Sequence, residues 1–348
     1  MENEVKHVRR KRYKGTHPKT FQEKYKEHQP EKYAKDIEHI ISKGNTPAGM
    51  HISIMVKEII DFLQIKPGQS GLDATLGYGG HTKAMLECLK GDGHIYGLDV
   101  DPIESEKTEK RLRDLGYDEK IFTKKLINFA NIDEVAQEGG KFDFILADLG
   151  VSSMQIDNPE RGFSYKIDGP LDLRMNPQKG ESAADRLNSL TKEEFIGMMI
   201  ENSDEPYAVE IAEVVFQKRK NGQKMKTTTD LREAITQALS FLPEKERKDM
   251  IKKSCQRVFQ ALRIDVNSEF EVLYAFLEKL PTVCNPGARI AILTFHSGED
   301  RLVKKSFKQF KKEGIYQDIA KDAIRPTPEE CVQNGRARST KFRWAIVS

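Results

Sequence analysis

The chain has 348 residues, of which 38% are hydrophobic and 32% are charged, a balance typical of a soluble protein of one or two domains. It contains no run of about 18 apolar residues, so we expect no membrane-spanning helix, and its charged N-terminus is unlike a secretory signal. The cysteines lack the spacing of metal ligands and are typical of free thiols in a reducing compartment (Cys88, Cys255, Cys284 and Cys331). We therefore expect a cytoplasmic protein without a metal centre.

Positive charge is concentrated at the N-terminus. Residues 1–35 contain 11 Lys and Arg against 5 Glu, a net charge of +6, whereas the whole chain carries only +3. A basic arm gains affinity for polyanions by releasing counterions from phosphates, and the alternative is a solvated tail that promotes solubility. Residues 1–48 also lack apolar periodicity, so we expect a basic, flexible extension there.

The next segment predicts a parallel α/β sheet. Apolar spacing indicates a helix at Ile54–Leu63, and short apolar runs indicate strands at Ser70–Ala74, His94–Asp99, Ile121–Lys125 and Phe142–Asp148. Helices are expected between the strands. Such alternation predicts a sheet whose ligands bind at the carboxyl ends of its strands.

The stretch Gly71–His81 contains the first of these strands and a glycine-rich turn that opens a helix, and Asp99 ends the second strand. Glycines let the backbone approach a ligand closely, and an acid about twenty residues further on can accept two ribose hydroxyls. Asp73 and Asp148 also fall at strand ends. The pattern favours a nucleoside-cofactor site over an ordinary tight turn.

A helical region is predicted from about Pro159 to Ser254, with Thr191 and Thr229 as N-caps. The expected helices are Thr191–Asn202, Tyr207–Lys220, Thr228–Phe241 and Lys245–Gln256. The sheet resumes at Arg289–Phe295 and ends with a strand at Phe342–Val347. We therefore predict an extension (1–48), a sheet domain in two parts (49–158 and 256–348) and an inserted helical domain (159–255).

A long polar loop, Asp148–Asn176, directly follows a strand end. Long loops without secondary structure are usually functional or disordered, and the interleaved Phe163, Leu171 and Met175 disfavour disorder. Two further polar clusters resemble sites, Phe259–Glu269 and Phe295–Arg301. The second places His296 at a strand end, and Arg336 and Arg338 further on offer guanidinium groups suited to phosphate.

Five blocks together resemble the bacterial 16S rRNA cytosine-N4 methyltransferases, the RsmH family, also called MraW. They are Asp73–His81, Asp148–Asn176, Phe259–Glu269, Ala288–Arg301 and Asn334–Arg343, in the order of the family and spanning about residues 51–348. The chain has Tyr78 where the family commonly has Arg, and Gly298 where it has Leu. The resemblance is therefore to a divergent paralogue with a basic N-terminal extension.

The resemblance implies a Rossmann-like class I methyltransferase fold that uses S-adenosyl-L-methionine and carries an all-helical insertion for RNA. It implies methylation of the N4 amino group of a cytosine in the decoding centre of 16S rRNA, with the small ribosomal subunit as partner. The implied cofactor contacts are Asp73, Gly79, Gly80, His81, Asp99, Phe129, Asp148 and Gln155. The groups expected to orient the target amine are Asp148, Ser152, Ser153, His296 and His51. The expected RNA contacts are Arg161, Arg174, Arg263, Arg336 and Arg338.

Three other functions are alternatives to this one. An RNA-binding ribosome-assembly factor could retain the same fold with little catalysis. A DNA amino-methyltransferase is disfavoured because the chain contains no Pro-Pro pair, which those families use at their catalytic block. An oxidoreductase is disfavoured because the motif blocks match a methyltransferase. The oligomeric state is left open, with a homodimer as one alternative.

Overall fold

The computed structural model describes residues 53–348, which lie in one compact unit. The predictions for the basic extension (1–48) and for His51 lie outside the described residues. None of the helices within 53–348 combines the length and apolar character needed to cross a bilayer.

A mixed sheet of seven strands, in the order β3-β2-β1-β4-β5-β7-β6, forms the centre of the described part of the chain. Its strands are β1 (Ser70–Asp73), β2 (His94–Asp99), β3 (Phe122–Leu126), β4 (Phe142–Asp148), β5 (Cys284–Thr294), β6 (Tyr316–Ile319) and β7 (Lys341–Val347). Strands β1–β5 are parallel, whereas β7 runs antiparallel to both β5 and β6. This topology confirms the Rossmann-like α/β fold. Its strand order reverses between β1 and β4, where such folds bind ligands.

Helices cover both faces of the sheet. They include α1 (Val56–Leu63), α2 (Gly80–Leu89), α3 (Pro102–Asp114) and α4 (Ile132–Gly139), then, further along the chain, α11 (Glu269–Lys279), α12 (Ser297–Lys312) and the short α13 (Pro328–Gln333). Alternate side chains of β4 enter different apolar clusters, Ile145 and Ala147 on one face and Phe144 and Leu146 on the other. Burial on both faces explains the continuous apolar run of this strand.

The segment between β4 and β5 is mainly helical. It holds the short α5 (Ser153–Asp157), then α6 (Ala183–Ser189), α7 (Lys192–Ser203), α8 (Ala208–Lys220), α9 (Thr228–Ala238) and α10 (Glu244–Asn267). A separate apolar core joins residues from Leu171 to Leu262. The predicted division into domains stays a prediction, and its boundary at 255/256 falls inside the continuous helix α10.

Three local predictions need correction. The helix expected to end at Gln256 continues to Asn267, because Val258 and Leu262 extend its buried stripe and no Gly or Pro interrupts it. Thr191 is confirmed as an N-cap, but Thr229 is not the cap of α9. Thr227 caps that helix instead, and its hydroxyl oxygen accepts the N–H of Asp230 in a capping box. Strand β6 was missed because it is only four residues long and has two exposed polar residues at its centre.

Candidate active site at the carboxyl ends of the strands

A cavity of about 350 Å³ lies at the carboxyl ends of β1, β2, β4 and β5. It brings together most of the residues predicted to form the site: Gly79, Gly80, His81, Asp99, Phe129, Asp148, Ser152, Ser153, Gln155, Arg263 and Arg336. The predicted residues that do not line it are Asp73, Arg161, Arg174, His296 and Arg338. The cavity therefore unites motifs that are up to about 260 residues apart in the sequence.

The glycine turn leads directly into α2. Gly79 has φ 81°, in the left-handed region, and a Cβ atom there would lie 2.7 Å from the Thr108 Cγ2 atom. The Thr108 hydroxyl donates to the Gly77 carbonyl oxygen, which fixes the turn against α3. The first turn of α2 thereby presents its backbone N–H groups toward the cavity side of the sheet.

Asp99 ends β2 and lies against the same turn. Its two carboxylate oxygens accept the N–H groups of Gly77 and Asp101, each at 2.9 Å. Each oxygen has two lone pairs, so both retain capacity for a hydroxyl donor. Burial raises the pKa of Asp99 to about 6. The charge of Asp101 adds to this increase, and the two hydrogen bonds oppose it. A partly desolvated acceptor of this kind suits a ribose.

Phe129 lines the neighbouring part of the cavity together with Leu98 and Ile127. Its ring is held edge-on to Phe276 of α11, with the ring centroids 5.0 Å apart. These apolar side chains next to Asp99 form a surface that fits a flat heterocycle attached to a ribose.

Asp148, at the end of β4, has a buried carboxylate oxygen, Oδ1, with no hydrogen-bond partner among the described residues. Its other oxygen, Oδ2, lies 3.6 Å from His81 Nδ1. Burial raises the pKa of Asp148 to about 6, with the charge of His81 opposing and those of Asp73 and Glu299 reinforcing the shift. Oδ1 itself is enclosed, so the part of this 22% exposed side chain that a ligand in the cavity can reach is the remainder, which includes Oδ2.

The predicted polar loop after β4 is ordered by its own side chains. Ser152 caps α5, since its hydroxyl oxygen accepts the Gln155 N–H, and the Gln155 side-chain oxygen accepts the Ser152 N–H. The Gln155 amide also donates to Asp101 at 2.9 Å. Ser152 and Gln155 thus already hold the loop in shape, and their roles toward substrate and cofactor stay predictions.

Asp101 is a buried residue that sequence reasoning missed. Its Oδ2 atom accepts the Arg161 guanidinium at 2.6 Å, and its Oδ1 atom caps α3. Arg161 also donates to the carbonyl oxygens of Arg174 and Met175, so it joins α3 to the far end of the polar loop. The Asp-Pro pair at 101–102 signals a helix start, but not this contact across 60 residues.

The other arginines predicted to bind RNA differ in their surroundings. Arg174 pairs with Asp172 at 2.6 Å and Arg336 pairs with Asp157 at 2.9 Å. Arg263 binds both oxygens of Glu269, at 2.7 and 2.9 Å. Arg338 is exposed. RNA contact by these side chains stays a prediction, and the exposed Arg338 is the most accessible of them.

The wall opposite the glycine turn is built from α10, α11 and α12. Asn267 of α10 accepts the Met175 N–H at 2.7 Å and donates to the Leu173 carbonyl oxygen at 2.8 Å, which clamps the polar loop to the helix. Glu299 of α12 is 3% exposed and lines the same wall. His296 lies behind it, with Nε2 3.2 Å from Glu299. His296 therefore supports the wall and does not line the cavity.

Comparisons with known proteins agree with this architecture. The profile described as the MraW methylase family matches residues 48–347. The chain is 67% identical to "Ribosomal RNA small subunit methyltransferase H 1" of Agathobacter rectalis, covering 99% of each chain. It is 66% identical to the relative of that name in Lachnoclostridium phytofermentans, over 98% of this chain and 93% of the relative. It is 60% identical to "Ribosomal RNA small subunit methyltransferase H 2" of Alkaliphilus metalliredigens, covering 99% of each.

Proposed function

The chain belongs to the MraW methylase family, and we propose that it methylates the RNA of the small ribosomal subunit with S-adenosylmethionine as methyl donor. The relatives that it matches over almost their whole length are named for small-subunit ribosomal RNA methylation. The observation that carries the proposal is the cavity in which Asp99, Phe129 and the partly exposed carboxylate of Asp148 lie together.

The residues present fit the cofactor. Asp99 would accept the ribose hydroxyls, Phe129 would lie against the adenine, and Gly79 and Gly80 would allow the amino-acid part to approach the start of α2. When bound, S-adenosylmethionine supplies a methyl group already activated by its sulfonium. The protein is left with the tasks of positioning the acceptor and excluding water.

The finer proposal is that the acceptor is the N4 amino group of a cytosine in the decoding centre of 16S rRNA. This amine is a poor nucleophile because its lone pair is delocalised into the ring. The partly exposed carboxylate of Asp148 would accept one amine N–H, which orients the nitrogen and weakens that delocalisation. Positioning of reacting groups can lower a barrier by about 7–11 kcal/mol in favourable cases. The cytosine and the decoding centre follow from the resemblance in the motif blocks.

A gene-deletion experiment tests this function. The strain lacking the gene is complemented with the wild type, with Asp148→Ala or with Asp133→Asn, a surface carboxylate that pairs with Lys279. Mass spectrometry of 16S rRNA digests should show N4-methylcytidine lost on deletion. The wild type and Asp133→Asn should restore it, and Asp148→Ala should not.

Three outcomes would contradict the proposal or part of it. An unchanged N4-methylcytidine content in the deletion strain would contradict the assigned reaction. Full restoration by a well-folded Asp148→Ala protein would instead favour a purely structural role for this carboxylate. Loss of ribosome assembly without any loss of methylation would support the assembly-factor alternative.

A further inference from the structure

We propose that His81 and Asp148 form a proton-accepting pair, which takes up the proton that the target amine loses as it is methylated. The inference rests on the proposed function and deepens it. It assigns to His81 a positioning role in proton transfer in addition to the predicted contact with the cofactor.

The tautomer of His81 follows from its surroundings. The ring lies on the first turn of α2 and is 7% exposed. Its Nε2 atom lies 2.9 Å from the carbonyl oxygen of Ile54. A carbonyl oxygen can only accept, so Nε2 carries a hydrogen. In the neutral ring Nδ1 therefore has a bare lone pair, and this atom is the one that lies 3.6 Å from Asp148 Oδ2.

This arrangement gives the pair a strong affinity for one proton. When neither Nδ1 nor the Asp148 carboxylate carries a proton, the lone pair of Nδ1 faces a negative charge in a buried site, which is electrostatically unfavourable. One proton between Nδ1 and Oδ2 replaces that repulsion by a charge-assisted hydrogen bond. A second proton would lose this bond.

The negative charges around Asp148 also favour its protonation. Asp73 of β1 and Glu299 of α12 are the acids whose charges act on Asp148, and both favour its protonation. The pKa of Glu299 is itself lowered, because the effects of His296 and Arg263 outweigh its burial. Glu299 therefore stays ionised. Arg263 of α10 lines the same cavity and pairs with Glu269 of α11 at 2.7 Å.

The proton balance is simple. As the N–C bond forms and the methyl–sulfur bond breaks, the sulfonium becomes a neutral thioether and the amine nitrogen acquires the positive charge. Its N–H, already donated to the partly exposed Asp148 carboxylate, then passes to that carboxylate, whose Oδ2 atom lies 3.6 Å from His81 Nδ1. The pair changes from a net charge of −1 to neutral, and solvent later removes the proton.

The test compares His81→Gln with His94→Gln. Glutamine can place an N–H near the position of Nε2 and keep the bond to Ile54, but it has no basic nitrogen. His94 is a matched control because both its ring nitrogens are also hydrogen-bonded, to Lys120 and Thr123, at the opposite end of β2. Single-turnover methylation of small subunits is measured at saturating S-adenosylmethionine from about pH 5 to 9.

For wild type and His94→Gln we expect a rate that rises with pH up to a plateau, since the His81–Asp148 pair can accept the proton only when it does not already hold one. For His81→Gln we expect a plateau about 100-fold lower, the lower end of the range for general acid–base catalysis, and a shifted pH profile. Because S-adenosylmethionine is saturating in this assay, a change in its affinity does not lower the rate, which separates proton transfer from cofactor binding.

A measurement on the protein alone completes the test. In ¹⁵N-histidine spectra without substrate, the neutral ring of His81 should carry its hydrogen on Nε2. An unprotonated Nε2, or an identical rate and pH profile for His81→Gln, would overturn the proposal. Failure of the wild type to methylate the subunit would overturn the proposed function as well, so the two failures are distinguishable.

Discussion

Asp99 is held by two backbone N–H groups while its remaining lone pairs are available to a ligand. We predict that Asp99→Ala weakens S-adenosylmethionine binding by about 1–3 kcal/mol, the range for hydrogen bonds to a charged group. Asp99→Asn should lose less, because it keeps one acceptor. Since the pKa of Asp99 is about 6 and the ionised form is the better acceptor, wild-type affinity should also fall below that pH. Isothermal titration calorimetry that finds equal affinities for all three proteins would refute this role.

Burial of the Asp148 carboxylate lowers the stability of the folded protein when the group is ionised. Its pKa is raised to about 6 in the folded protein, against about 3.9 in an unfolded chain. The folded state therefore binds the proton more tightly, and ionisation lowers stability above pH 6 but not below about pH 4. We predict that Asp148→Asn raises the free energy of unfolding by about 1–3 kcal/mol at pH 8 and abolishes methylation. Urea denaturation at both pH values measures it, and a stability gain of equal size at pH 4 would argue against this cause.

At the scale of elements, Asp300 ties α12 to β7. Its oxygens accept the Arg343 guanidinium at 2.6 Å and the Lys341 ammonium at 2.8 Å. Burial would raise the pKa of Asp300, but these two hydrogen bonds outweigh burial and lower it. A lowered pKa stabilises the folded state above the unfolded value of about 3.9, and that contribution is lost as pH falls through the folded pKa.

We therefore predict that Asp300→Asn lowers the free energy of unfolding by about 1–3 kcal/mol at pH 7, because it leaves the buried Arg343 poorly compensated. The difference from wild type should shrink near pH 3. Asp133→Asn, at an exposed pair on α4, is the control and should change little. Chemical denaturation curves that show equal losses for both variants would contradict a specific role for the α12–β7 tie.

The sequence predicted the elements best where pattern and burial coincide. The three strand ends that carry an acid, at Asp73, Asp99 and Asp148, could be placed together because carboxyl ends of parallel strands meet at one edge. Contacts made between side chains of distant elements could not be predicted, since they depend on packing. The pairs Asp101–Arg161 and Arg263–Glu269, and the Asn267 clamp on the polar loop, are of this kind. For the same reason, sequence reasoning assigned Arg161 and Arg263 to RNA without seeing their carboxylate partners.

At the scale of the whole molecule, the basic N-terminal segment lies outside the described residues, and its role is a prediction from charge alone. Deleting residues 1–35 should weaken binding to small subunits. Each lost phosphate contact should remove about 0.7–0.9 from the slope of log affinity against log salt. Affinity for S-adenosylmethionine should not change, because no cofactor motif lies in that segment. A salt titration comparing truncated and full-length protein measures this, and unchanged slope and activity would identify a solubility tail.

We propose that one cavity joins a nucleoside-cofactor site to an acceptor for an exocyclic amine. The most direct measurement incubates the purified protein with small subunits from the deletion strain and S-adenosylmethionine carrying a deuterated methyl group. Mass spectrometry of 16S rRNA fragments then locates the label. We predict one labelled N4-methylcytidine in the decoding-centre fragment. Label on a ring carbon or a ribose oxygen, or no label at all, would contradict the account.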